Sequence, residues 1–133
     1  MRAVPLLDTH IWLWWLLGDD RMAAEERSFL DALPAPERPW LCDISIWETA
    51  LLVEKGRVEL DCPMADFLKI ATSPATVRVL PITDGVAVEM NALPETFHRD
   101  PADRLIVATA RQRGIPVATR DRLIVDSDLV QIW

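Results

Sequence analysis

Acidic side chains stand at four places in this chain where, brought together, they would hold a divalent cation. Asp8 follows a short apolar run in LLDTH, and Asp43 and Glu48 lie in LCDISIWE. Asp100 and Asp103 lie in HRDPADRLIVATA, and Asp121 closes VATRD. Carboxylates gathered at one point repel each other unless a cation neutralises them, and an all-oxygen donor set selects hard ions such as Mg²⁺ or Mn²⁺. Carboxylate-held Mg²⁺ is the usual equipment for directing water onto a phosphodiester. His10 and His98 are isolated from each other and from both cysteines, so no zinc site is expected. They read as a helix-face and a loop residue, not as ligands.

Each acid also has a plain structural use. Ser45-x-x-Glu48 has capping-box spacing, and Asp100-Pro101-Ala102-Asp103 is a near relative with proline at the first helical position. Asp or Thr at a helix start satisfies free N–H groups and suits the helix dipole. Capping accounts less well for Asp8, because Thr9 is able to cap the next helix by itself. Within HRDPADRLIVATA, Asp100 is the better N-cap. Asp103, one turn in, is the better ligand if Asp8 and Glu48 share its crevice.

For these acids to meet, strands must carry them to one edge. Apolar runs predict strands over residues 3–7 (kept short by Pro5), 39–42, 77–82, 115–118 and 129–133. Helical patterns fill 9–17 up to Gly18, 23–33 up to a 34–39 linker, 45–55 up to Gly56, 64–72, 84–92, and 102–113 up to Gly114. The alternation predicts an α/β domain over residues 1–133 with a mostly parallel sheet and helices on both faces. In such folds ligands bind outside the carboxyl ends of the strands, which is where the acids stand.

Composition narrows the partners. With 50% apolar residues the chain is not disordered, and its net charge of −7 argues against coating nucleic acid by bulk electrostatics. Residues 98–122 nevertheless carry six arginines against three aspartates, locally +3 by that count, which leaves −10 elsewhere. Arg99, Arg104 and Arg120 are candidates for positioning a phosphate, with a salt-partner role expected for at least one. Asp8 and His10 interrupt the N-terminal apolar run, which has no small-residue cleavage site before Gly18, so export is not expected. No stretch approaches the ~20 apolar residues of a membrane span. Cys42 and Cys62 have neither metal spacing nor framework numbers, which fits a reducing cytoplasm. Trp12, Trp15 and an inward-facing Trp47 beside Glu48 are expected to pack in the core. The first helix is apolar almost all round, more than one buried stripe requires, so part of it is expected to meet a partner.

In LLDTH, SIWE, DPADRLIVATA and VATRD, taken in order over nearly the whole chain, the sequence resembles PIN-domain proteins. The likeness is closer to the VapC-type toxins of bacterial toxin–antitoxin modules. The resemblance implies a three-layer, Rossmann-like α/β/α sandwich and Mg²⁺- or Mn²⁺-dependent endoribonuclease activity on RNA. It also implies a homodimer and a small cognate antitoxin that occludes the site. By position it implies Asp8, Glu48, Asp103 and Asp121 as the metal-binding catalytic acids, the fourth place being the least uniform in the family. Asp103, not Asp100, matches the third, being the acid directly ahead of RLIVATA. Thr9, Ser45 and Thr119 match small hydroxyl positions that orient carboxylates or metal-bound water. Asp43 and Asp126 are spare acids with an outer-shell reach. Other acid chemistries fit less well. A haloacid-dehalogenase-like phosphatase needs an aspartate where His10 stands, and a receiver-like domain needs an acid pair at the first strand and a lysine near the last. The alternative is a non-catalytic protein- or RNA-binding module of the same fold, its acids serving as caps.

Overall fold

The computed structural model describes residues 2–133. Four parallel strands, β1 (Leu6–Leu7), β2 (Trp40–Cys42), β3 (Arg78–Leu80) and β4 (Val117–Ala118), form one sheet in the order β3-β2-β1-β4. Prolines set where three of them start. Pro5, Pro39 and Pro116 stand at or just ahead of β1, β2 and β4, where a missing N–H costs the ladder nothing. Their carbonyls still accept, from Trp40, Arg78 and Leu6 at 3.0, 2.8 and 2.9 Å.

Around the sheet lie α1 (Thr9–Leu17), α2 (Ala24–Asp31), α3 (Ile44–Glu54), α4 (Met64–Ala71), α5 (Asp84–Ala92), α6 (Pro101–Arg113) and the single turn α7 (Arg122–Val125). Strand alternation sorts the core into two faces. Leu7, Leu41 and Ala118 pack with Ile11, Trp12, Leu30 and Ala71 on one side. Leu6, Cys42, Leu80 and Val117 pack with Ile106 and Ala110 of α6 on the other, and a third cluster joins α5, α6 and α7 through Val86, Leu105 and Ile124. This is the expected three-layer α/β/α sandwich. Trp12 is wholly buried, and its indole N–H donates to the Ala71 carbonyl at 3.2 Å, so the bulkiest core side chain is polar-satisfied as well. Gly114 ends α6 with φ at 67°, a backbone conformation that disfavours any side chain.

Three expectations about elements need correction. Residues 129–133 form no strand; Ile132 makes a single parallel bridge to Val117, and Trp133 is held instead through its indole N–H to the Ala3 carbonyl at 2.7 Å. The turn α7 had no apolar period long enough to announce it. Trp47 faces out, 58% exposed, because the buried side of α3 is the Ser45–Thr49 stripe one helical turn apart. On α1, Ile11, Trp12, Leu13 and Trp15 are buried while Leu17 is exposed, so the apolar surplus sits at the helix's last turn. Among the described residues no helix is long and apolar enough to cross a membrane. Cys42 is buried and Cys62 exposed, both free thiols.

Candidate active site

The strand order fixes where a site can form. From β1 the chain steps outward through β2 and β3, while β4 joins the opposite edge of β1, so the winding reverses between β1 and β4. Loops diverge at such a switch point and leave a crevice at the carboxyl ends of the strands. Asp8 leaves β1 and Thr119–Asp121 leaves β4 at that point. The second turn of α3 and the first turn of α6 bring Glu48 and Asp103. Together with Thr9, His10 and Asp100 these acids line one cleft of about 200 Å³.

Capping and convergence turn out to be compatible, because each carboxylate has two oxygens. Asp8, contrary to the expectation that Thr9 would cap alone, is the N-cap of α1, its Oδ1 accepting the Thr9 N–H at 2.8 Å. Its Oδ2 accepts the Thr119 hydroxyl at 2.7 Å. Thr119 Oγ1 in turn accepts the Asp121 N–H at 3.0 Å, while Asp121 Oδ1 caps α7 through Leu123 N–H at 2.9 Å. Asp100 caps α6 as expected, accepting the Asp103 N–H at 3.1 Å. Three helix N-termini thus point at the cleft and offset part of the carboxylate repulsion. Ser45 is not a cap: it lies inside α3, fully buried, and its Oγ accepts the Thr9 hydroxyl at 2.8 Å, which ties α3 to α1 beneath Glu48.

The electrostatics are those of an overcharged cleft. Asp103 is pushed up to about 8, first by burial and then by repulsion from Asp8, Asp100 and Asp121. Burial also raises Asp8, against the pull of His10 and the Thr119 hydroxyl. Glu48 is raised by burial, with Asp8 and Asp100 adding repulsion. A donor set of carboxylates that resists ionisation is one that a hard cation would relieve, so the residues fit a divalent metal.

Two histidines stand against these acids although neither lies in a ligand pattern: His10 lines the cleft, and His98 approaches it through Asp103. His10 Nε2 accepts the Arg120 N–H at 3.0 Å, which leaves the ring proton on Nδ1, 3.4 Å from Asp8 Oδ2. Burial lowers its pKa, so the ring is a neutral, fixed-tautomer prop for Asp8. His98 is a loop residue as expected, but its loop folds back until Nε2 lies 3.1 Å from Asp103 Oδ2. The only hint was its place five residues ahead of Asp103.

The salt-partner role expected for at least one arginine falls to Arg120, and Arg104 proves to be a buried structural residue. Arg104 is buried and cannot reach a phosphate: its Nη1 donates to the carbonyls of Phe97 and His98 at 3.1 and 3.2 Å. Arg120 is held by an ion pair with the buried Glu26. Arg99 is exposed, follows His98 and precedes the cleft residue Asp100; among the described residues it is the one of the three not tied into the fold by a side-chain hydrogen bond or ion pair. Asp43 lies outside the cleft, where Oδ2 accepts the Ile82 N–H at 3.1 Å, and Asp126 pairs with Arg122 on the surface. Because Arg104 anchors the His98 loop, Arg104→Met is expected to cost about 2 kcal/mol, the worth of charge-assisted bonds lost from buried carbonyls. Urea unfolding measures this, and an unchanged midpoint would refute the anchor.

A parallel β3-β2-β1-β4 sheet with acids gathered at its switch point defines the class: an α/β/α domain of the PIN type. The chain belongs to the PIN-domain family, whose model matches residues 6–126. It is 38% identical over 119 residues to Ribonuclease VapC22 of Mycobacterium tuberculosis, covering 88% of this chain and 86% of that protein. The fold is similar to that in the structure of FitAB bound to an IR36 DNA fragment, with TM-score 0.69, 25% identity, and 98% and 94% of the two chains covered. It is also similar to FitAcB from Neisseria gonorrhoeae, with TM-score 0.66, 26% identity, and 98% and 96% covered.

Proposed function

We propose that this protein is a divalent-metal-dependent endoribonuclease, the toxin of a toxin–antitoxin module. The observation that carries the reading is the convergence of Asp8, Glu48, Asp103 and Asp121 on one cleft at the switch point. The 38% identity to a VapC ribonuclease supports RNA as substrate and, with the resemblance to VapC-type toxins, an antitoxin as partner. The cognate antitoxin is expected to cover the cleft, and the toxin itself to be a homodimer acting in the cytoplasm.

In this reading Asp8, Glu48, Asp103 and Asp121 hold Mg²⁺ or Mn²⁺, which supplies Lewis-acid activation of water and charge stabilisation at the phosphate. The protein's own part is positioning. Thr119 and His10 fix Asp8 Oδ2 in place, so the carboxylate does not have to reorganise when phosphate arrives. The Thr9–Ser45 hydroxyl pair locks α1 to α3 and so sets how far Glu48 stands from Asp8. Arg99, exposed and next to Asp100 in the chain, is the better candidate to meet a backbone phosphate, whereas Arg120 would have to leave Glu26 to do so.

The test is cleavage of structured RNA by the purified chain with Mg²⁺ or Mn²⁺, and with EDTA. Cleavage is expected with either metal and is expected to stop on chelation. Cleavage that persists in EDTA would overturn the metal reading. A folded, RNA-binding but inactive chain in both metals would favour the non-catalytic module.

A further inference from the structure

We propose that His98 supplies a nitrogen ligand to the cation held in the carboxylate cleft, making the site a mixed nitrogen–oxygen one. The proposal rests on the metal-dependent reading above and goes further, to the composition of the site and its choice of ion.

Three observations carry it. A ring nitrogen of His98, one oxygen of Asp103 and one of Asp121 all lie within 4.8 Å of one another, although they come from a loop, a helix and the exit of a strand. The His98 Nε2 atom is shielded from solvent yet has no hydrogen-bond partner. Its 3.1 Å separation from Asp103 Oδ2 is therefore close contact without hydrogen-bond direction. Neighbouring donors on an octahedral ion with bonds of about 2.1 Å stand about 3 Å apart, so the separation suits two ligands of one ion. An orphaned buried nitrogen costs free energy unless something satisfies it, and a cation shared with the two aspartates does so.

The imidazole is also held in place. Its ring packs edge-on against Phe97 at 4.7 Å between centroids, and the backbone carbonyls on either side of it are gripped by Arg104. A rigid imidazole beside carboxylates shifts preference away from Mg²⁺ and toward transition ions, because imidazole nitrogen suits the latter better than the former. The expectation is a site that takes Mn²⁺ more tightly than Mg²⁺.

The chain contains two histidines, which makes the assignment testable by spectroscopy of the untagged protein loaded with Mn²⁺. Electron spin echo modulation is expected to show a coupled ¹⁴N nucleus in the wild type and in His10→Gln, and none in His98→Gln. His98→Gln is also expected to lose at least about tenfold in Mn²⁺ affinity, the lower end of what even outer-shell partners are worth, and to lose less for Mg²⁺. Bound Mn²⁺ with no ¹⁴N coupling in the wild type would overturn the proposal while leaving the metal-dependent nuclease intact. A coupling that survives His98→Gln, or that disappears in His10→Gln, would do the same. Failure of the wild type to bind Mn²⁺ at all would remove the metal reading and this inference together. A wild-type spectrum without ¹⁴N coupling overturns the proposal even if the variants fold poorly.

Discussion

Asp8→Asn is expected to lower RNA cleavage about a thousandfold or more, while the melting temperature stays at or above that of the wild type. The two halves of this result have different causes. The side chain is 3% exposed, and burial makes a carboxylate there costly to ionise even though the Thr9 N–H and the Thr119 hydroxyl favour the charged form. Asparagine has the same shape, and its carbonyl oxygen still accepts from the Thr9 N–H, so the cap of α1 survives. Removing a buried charge that no counter-ion balances does not weaken the metal-free fold. The catalytic half follows from charge. A cation stabilises a developing phosphodiester transition state by several kcal/mol, and each 1.36 kcal/mol is a factor of ten. Asp8 is the most buried of the four acids in the proposed site, so its loss should remove most of that. Asp43→Asn is the matched control, because Asp43 is also acidic and follows a strand but bonds Ile82 outside the cleft; its cleavage should remain within a few-fold. If Asp8→Asn cleaves within tenfold of wild type, Asp8 is a helix cap and not a ligand; if it melts well below wild type, the contacts of Asp8 Oδ2 with Thr119 and His10 hold the fold and the buried charge does not burden it.

That Asp8 is both cap and cleft carboxylate shows how far the sequence was readable. Asp8, Asp100 and Asp121 were visible because each follows a strand or opens a helix, and Glu48 and Asp103 because each lies about one turn into a helix, which short-range order determines. The division between Asp100 as cap and Asp103 one turn in was visible for the same reason, since proline at the first helical position fixes the register. What was hidden depends on how loops return. Arg104 looks like a solvent-facing residue of an Arg-rich segment until the 94–100 loop folds over it and presents two carbonyls. His98 looks remote from any ligand until that same loop closes. Trp47 next to Glu48 looks buried by type, but Ser45 and Thr49, small and polar, take the inner face of α3 because α1 packs so closely there. The last apolar run resembles a strand, yet it offers only Ile132 to the edge of β4. For Trp47 and the last apolar run a contact distant in sequence decided the role, and for Arg104 and His98 it was the turning back of one nearby loop.

The second large effect concerns Asp103, whose replacement by asparagine should raise stability without metal and remove the gain that metal brings. With its folded pKa at about 8 and an unfolded value near 3.9, the native state keeps a proton that the unfolded chain has already released. Between about pH 4 and about pH 8 the native state therefore binds more protons, and stability falls as pH rises through that window. Metal-free wild type should show that slope in thermal melts, and Asp103→Asn, which is neutral throughout, should flatten it and melt higher at the alkaline end. Divalent metal reverses the order. Ligation displaces the Asp103 proton, so affinity should strengthen as pH climbs toward about 8. Metal at a hundred times its dissociation constant should stabilise the wild type by about 2.7 kcal/mol, with much less for the variant. A variant more stable without metal and less responsive with it means that the wild-type fold holds a carboxylate at a cost in stability because a cation needs it there. Equal pH slopes, or equal metal-induced rises in melting temperature, would mean that Asp103 is a surface acid near a cleft and that the third ligand lies elsewhere.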